Sequence, residues 1–149
     1  TNVQMASCSG AMGMGVPSAI ASSLRDTNRQ VVCFVGDGGF LMTGNEMILA
    51  SEYNLPIKFI VSNNSSFGTI RLYQEKSHPD RTLATDLCNP DFVAVAEAYG
   101  IKGYRIEDDN QIASVIKAAF SLEGPCLIDV KTSLEYISAY TTISELREE

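Results

Sequence analysis

Three short runs of this chain are dense in Val, Ile, Leu and Phe: QVVCFVG, PIKFIVS and PCLIDVK. Each starts or ends at Gly, Pro or Asn, the pattern of strands buried on both faces. The segments between them repeat at helical spacing. After Thr43, GNEMILASEYN sets Met47, Ala50 and Ser51 three to four apart, with Asn54 near its end. NPDFVAVAEAYG predicts a helix with Asn89 as N-cap, Pro90 in the first helical position and Gly100 as the stop. DDNQIASVIKAAFSLEG offers Asp108 or Asp109 as a cap, an apolar stripe of Ile112, Val115, Ile116 and Ala119, and Gly124 at its end. Upstream, GAMGMGVPSAIASSLR reads as a glycine-rich turn passing into a helix that begins near Pro17. Strand and helix alternate, which predicts an α/β fold: a doubly wound, mostly parallel sheet with helices on both faces.

One stretch breaks the rhythm. Residues 67 to 88, FGTIRLYQEKSHPDRTLATDLC, are polar and poorly periodic after an initial turn or short helix, as lids and binding loops tend to be. A length of 149 residues with 45% hydrophobic and 19% charged residues suits one domain, 1–149, with a real core. A net charge of −7 disfavours nucleic acid or an anionic membrane as partner, and no apolar run is long enough to span a bilayer. The start TNVQMASCSG has neither an initiator methionine nor a signal-peptide pattern, so the expectation is a fragment or processed subunit of a cytoplasmic protein. Cys8, Cys33, Cys88 and Cys126 are scattered and there is one histidine, which disfavours zinc and predicts reduced, mostly buried thiols.

The candidate chemistry sits where two strands end. Ligands of an open parallel sheet bind beyond the carboxyl ends of its strands, and there the first run gives Asp37 and the second Asn63 and Asn64. A carboxylate and an amide oxygen, without cysteine or histidine, suit Mg²⁺ or Ca²⁺. Magnesium usually takes one or two carboxylates plus phosphate oxygens, so a single carboxylate implies a phosphate-bearing ligand. Gly36, Gly38 and Gly39 let the backbone approach such an anion.

Gly36-Asp37-Gly38, then residues 39 to 62, then Asn63-Asn64 resembles the cofactor signature of the thiamine diphosphate-dependent enzymes. GAMGMGVPSAI, GDGGFLMTGNE, NNSSFGTIRLYQE and the tail TTISELREE are similar to segments of the acetolactate-synthase-like members, so the resemblance covers essentially the whole chain. It implies the diphosphate-binding domain of a larger enzyme, with Asp37, the Asn64 side chain and the Ser66 carbonyl as Mg²⁺ ligands. It further implies that Gly36, Gly38 and Gly39 meet the diphosphate, that Gly10, Ala11 and Met12 lie along the aminopyrimidine near Met42 and Thr43, and that Phe67 and Gly68 complete the cofactor site. The implied activity is decarboxylation or carboligation of a 2-keto acid in a homo-oligomer, dimer or tetramer. The catalytic glutamate belongs to a pyrimidine-binding domain of the same or another subunit; Glu46 is not that residue. Gly39, Asn45 and the AIAS segment depart from the family's usual residues, which leaves the substrate open.

Other readings compete. Gly13-Met14-Gly15-Val16-Pro17-Ser18 approaches a nicotinamide-binding fingerprint, but Ser18 and Pro17 spoil it and the asparagine pair is left without a role. A non-catalytic regulatory or interaction domain could keep the fold. Taken singly, Asp37 reads as a helix cap and Asn63 as a turn residue with left-handed backbone. His78, Arg71, Gln74 and Arg81 read as surface residues, SELREE as a solvated tail or a flap over the site, and Met5, Met14, Met42 and Met47 as core filler.

Overall fold

The computed structural model describes residues 9–148; Met5 and Cys8 lie outside them. Helix α1, Gly15–Arg25, leads into strand β1, Val31–Gly36. Helix α2, Asp37–Thr43, follows without a gap, then a 3₁₀ turn, Gly44–Glu46, and helix α3, Met47–Glu52. Strand β2 is Ile57–Asn63, and helices α4, Gly68–Ser77, and α5, Phe92–Ala98, come next. Strand β3, Lys102–Ile106, helix α6, Asp109–Ser121, strand β4, Cys126–Lys131, and helix α7, Ile143–Glu148, complete the order. No helix among the described residues is long and apolar enough to cross a membrane.

The four strands form one parallel sheet in the order β1-β2-β4-β3. Helices α1, α2, α3 and α5 send Val16, Ile20, Phe40, Met47, Phe92 and Ala96 into the core on one face, where Phe40 and Phe92 meet edge to face at 5.2 Å. Helix α6 covers the other face over Cys126 and Ile128. The α/β expectation with helices on both faces therefore holds, and β2 and β4 are buried on both sides as their composition predicts.

Several local expectations are corrected. Strand β1 is not buried on both faces: it lies at the sheet edge among the described residues, and Val32 and Phe34 are 51% and 72% exposed. Strand β3 is a fourth strand that KGYRI does not advertise, because its alternating polar residues fit an edge. The cap of α5 is Asp91, whose carboxylate accepts from the Val93 and Ala94 N–H groups, and not Asn89. Helix α1 starts two residues before Pro17, and the first helix after β1 starts at Asp37, well ahead of Gly44. On α6 the Asp108 capping box with Gln111 is present, but Ile112 is exposed and the helix stops at Ser121, short of Gly124. Met47 is core, whereas Met12, Met14 and Met42 are exposed; Cys33 and Cys126 are buried free thiols, Cys33 pushed up to about 11 by burial, and Cys88 is exposed.

Of the SELREE end, the described residues form a helix that packs by one face, with Ser144, Glu145 and Glu148 exposed. Ile143 and Leu146 are buried, and Arg147 reaches the fully buried Glu75 of α4 at 2.7 and 3.2 Å. Glu75 also accepts the Asp80 N–H and lies 3.7 Å from Arg71, and these partners, Arg147 first, hold its carboxyl below the ordinary range against the opposing effect of burial. A folded value below the ordinary 4.5 contributes stability that is complete above 4.5 and is lost as pH falls through the folded value. Glu75→Gln is expected to cost about 1–3 kcal/mol at pH 7, with the gap to wild type narrowing as the carboxylate is protonated at acid pH, in urea titrations followed by circular dichroism.

Candidate functional site

Strands β1 and β2 run in register, Gly36 opposite Ser62, so the residues that follow them emerge side by side at the carboxyl edge of the sheet. Asp37 is the first residue of α2 and is 3% exposed. Its Oδ1 accepts the Gly38 N–H at 2.8 Å and its Oδ2 accepts from Asn89 Nδ2 at 2.8 Å. Both donors are neutral, and among the described residues no Lys or Arg forms an ion pair with it. A carboxylate taken out of water without a positive partner is costly. A cation held at the same place would relieve that cost.

After β2 the chain turns tightly. Asn64 Oδ1 accepts the Ser66 N–H at 3.0 Å, and Ser65 between them takes the left-handed conformation, φ 55°. Asn63 does not have that backbone. It is buried at the strand end, and its Oδ1 accepts from the Ser65 N–H and hydroxyl at 3.3 and 3.4 Å, supporting the strained residue. Ser66 is buried and its hydroxyl donates to the Thr85 carbonyl at 2.9 Å. Two glycines are dictated by close approach: a Cβ on Gly38 would stand 2.6 Å from the Phe67 ring, and one on Gly68 would stand 2.9 Å from Asn64 Nδ2. The Phe67 side chain is thereby seated against the first turn of α2.

Two cavities meet at this point. One, of about 620 Å³, lies beyond the carboxyl ends of all four strands and is lined by Asp37, Asn64, Asp108 and Lys131 among others. The other, of about 1270 Å³, runs along β1 and is lined by Gly10, Ala11, Met12, Gly38, Gly39 and Phe67. Gly36, Asp37, Ser66 and Gly68 line both. Every residue singled out from the sequence as cofactor-binding therefore faces this joined space. Thr43 ties the first turn to it through a 2.7 Å hydrogen bond to the Gly13 carbonyl.

A buried carboxylate without a protein cation, beside an amide oxygen and an ordered turn, forms a hard oxygen donor set that fits a divalent cation of the Mg²⁺ type. Gly38 differs from expectation in one respect, because its N–H is spent on Asp37.

Other polar candidates sit elsewhere. Glu46 lines neither cavity, and His78 and Arg81 are exposed. Gln74 clasps Leu83 by its N–H and carbonyl at 2.8 and 3.1 Å, and Arg71 pairs with Asp86 at 2.7 Å. Together with the Phe67 and Leu87 N–H bonds to Thr85 and Ser65, these ties hold the second half of the long polar stretch against the turn after β2. Sequence reasoning missed Asn89, Asp129 and the part played by Asn63. Asn63 Nδ2 donates to the fully buried Asp129 at 2.8 Å, and Asn89 Nδ2 donates to Asn63 Oδ1 at 2.9 Å. The available signal was the lone Asp inside the apolar run PCLIDVK.

Comparison with known proteins agrees with this arrangement. Residues 1–130 match the family described as thiamine pyrophosphate enzyme, C-terminal TPP binding domain. The acetolactate synthase large subunit of Lactococcus lactis is 39% identical over 125 residues, covering 83% of this chain and 22% of that protein. Acetolactate synthase of Bacillus subtilis is 39% identical over 119 residues, 80% of this chain and 21% of its own. The probable acetolactate synthase large subunit of Methanococcus aeolicus is 36% identical over 121 residues, 80% and 20% respectively. The chain spans about a fifth of the length of the curated relatives it matches. With a parallel α/β sheet, a buried aspartate after β1 and an asparagine turn after β2, the chain belongs to the thiamine pyrophosphate enzyme family, as its C-terminal cofactor-binding domain.

Proposed function

We propose that residues 1–149 bind the diphosphate of thiamine diphosphate through Mg²⁺ and form one half of the active site of an acetolactate-synthase-like enzyme acting on a 2-keto acid. The observation that carries this reading is Asp37: a nearly water-free carboxylate with neutral donors only, placed where two cavities join. Asp37, the Asn64 amide oxygen and the Ser66 carbonyl hold the metal. Gly39, in the first turn of α2, presents backbone to the diphosphate, and Gly10, Ala11 and Met12 border the larger cavity along the aminopyrimidine. Phe67, seated against Gly38, excludes water from the floor between them.

The bound cofactor supplies the electron sink for decarboxylation or carboligation. This chain's own residues orient and neutralise; they include no group assigned to proton transfer. That role belongs to a pyrimidine-binding domain, covalently joined or from another subunit, which completes the cleft in a cytoplasmic homo-oligomer, dimer or tetramer. The share of the relatives' length that this chain covers supports a larger assembly.

Titration calorimetry of the chain with thiamine diphosphate is expected to give heat of binding only when Mg²⁺ is present. Asp37→Ala weakens it more than about 100-fold and Asn64→Ala by roughly 10–100-fold, with metal-free thermal midpoints near that of wild type. Metal-independent binding, or binding unchanged by Asp37→Ala, would overturn the assignment and leave a domain that keeps the fold without the chemistry. In a coupled assay with pyruvate, thiamine diphosphate and Mg²⁺, the 149-residue chain alone is expected to show no sustained release of carbon dioxide; steady turnover by the chain alone contradicts the half-site.

A further inference from the structure

We infer that Asn89 is a positioning residue for Asp37, and that its orientation is dictated from the interior of the sheet by Asp129 through Asn63. The inference rests on the metal-binding reading of Asp37. Asp129 is fully buried in β4, with Arg105 Nε at 3.4 Å and Lys131 Nζ at 3.2 Å from its Oδ2. Between two cations it is an acceptor only, so Asn63 must present its NH₂ to it, as it does at 2.8 Å to Oδ1. Asn63 Oδ1 is then forced to the opposite side, where it can only accept.

That leaves one orientation for Asn89. Its NH₂ has two hydrogens, and both are spent: one on Asn63 Oδ1 at 2.9 Å, the other on Asp37 Oδ2 at 2.8 Å. The cost of this arrangement is visible, because Asn89 Oδ1 is buried with no hydrogen-bond partner among the described residues. Turning the amide over would set Asn89 Oδ1 against two acceptor oxygens, Asn63 Oδ1 and Asp37 Oδ2. Asn63 and Asn89 thus each donate one hydrogen back towards Asp129, and the remaining Asn89 hydrogen is left for the carboxylate after β1.

The chemistry of the last donor matters. A lysine or arginine in place of Asn89 would neutralise Asp37 and compete with a metal; an amide fixes the carboxylate's rotation and leaves its charge available. The same Asn63 oxygen also accepts from Ser65, whose left-handed backbone sets the turn leading to Ser66. One amide thus fixes both sides of the oxygen set.

The test uses Mn²⁺ as probe, its free concentration read by electron paramagnetic resonance, on the 149-residue chain at a temperature where each variant is folded. Asn89→Leu keeps the branched shape and removes the donor; Asn89→Ser removes it with less bulk; Gln111→Ala serves as a control that opens the α6 capping box without touching Asp37, Asn63 or Asp129. The expected result is Mn²⁺ affinity lowered about 10–100-fold in both Asn89 variants and unchanged in Gln111→Ala, while Gln111→Ala lowers the metal-free thermal midpoint. Affinity within twofold of wild type in the Asn89 variants, an equal loss in Gln111→Ala, or failure of both Asn89 variants to fold would overturn the inference, the last two because they make Asn89 a structural residue. A wild-type chain that binds no Mn²⁺ removes the metal-binding reading itself, an outcome separate from the others.

Discussion

A negative charge kept out of water, with no positive side chain beside it, is the constraint around which this domain's carboxyl edge is arranged. Asp37 can be held there because its two oxygens accept from an adjacent peptide and from an amide. Both contacts restrict the carboxylate without cancelling its charge. The glycine that follows cannot carry a side chain, since Phe67 occupies that space, and the turn after β2 is bent by Asn64 so that its own oxygens come to the same cavity. Parallel registry of β1 with β2 is what brings these two pieces, separated by three short helical segments, to one edge.

Much of this was legible in the sequence. The apolar runs that became β2 and β4 could be read because strands covered on both sides need little but Val, Ile, Leu and Phe, and the spacing of Asp37 from Asn64 carried the cofactor class. What was not legible had physical reasons. KGYRI forms a strand through its pairing with β4, a long-range contact that local propensity does not report. DGGFLMT became helical despite two glycines because the strand delivers it directly against Phe92 and the core. Asn-Pro looked like a helix start, and Asp91 two residues on had an equal claim to the cap. Local rules could not choose between them, because the deciding partner of Asn89 lies 52 residues away in sequence.

The long polar stretch shows the same limit from the other side. Read alone it resembled a free lid, yet Gln74, Arg71 and Thr85 each hold part of it in place, and Glu75 at its centre gathers Arg147 from α7. Polar composition marked a segment poor in core contacts; it did not show that the polar groups had partners in the fold. The two charged clusters, Glu75 with Arg147 and Asp129 with Arg105 and Lys131, each place a fully buried acid among partly exposed bases, so the acids are charge-paired while the bases keep contact with water.

The outer strand β1 has a practical consequence. At the opposite border, β3 carries Lys102 and Arg105, charges of the kind that discourage a foreign strand from aligning there. VVCFVG has none, and among the described residues its ladder of peptide groups is unpaired on one side. Among the described residues that border is therefore an uncharged, one-sided ladder, the kind of edge along which a neighbouring strand can align.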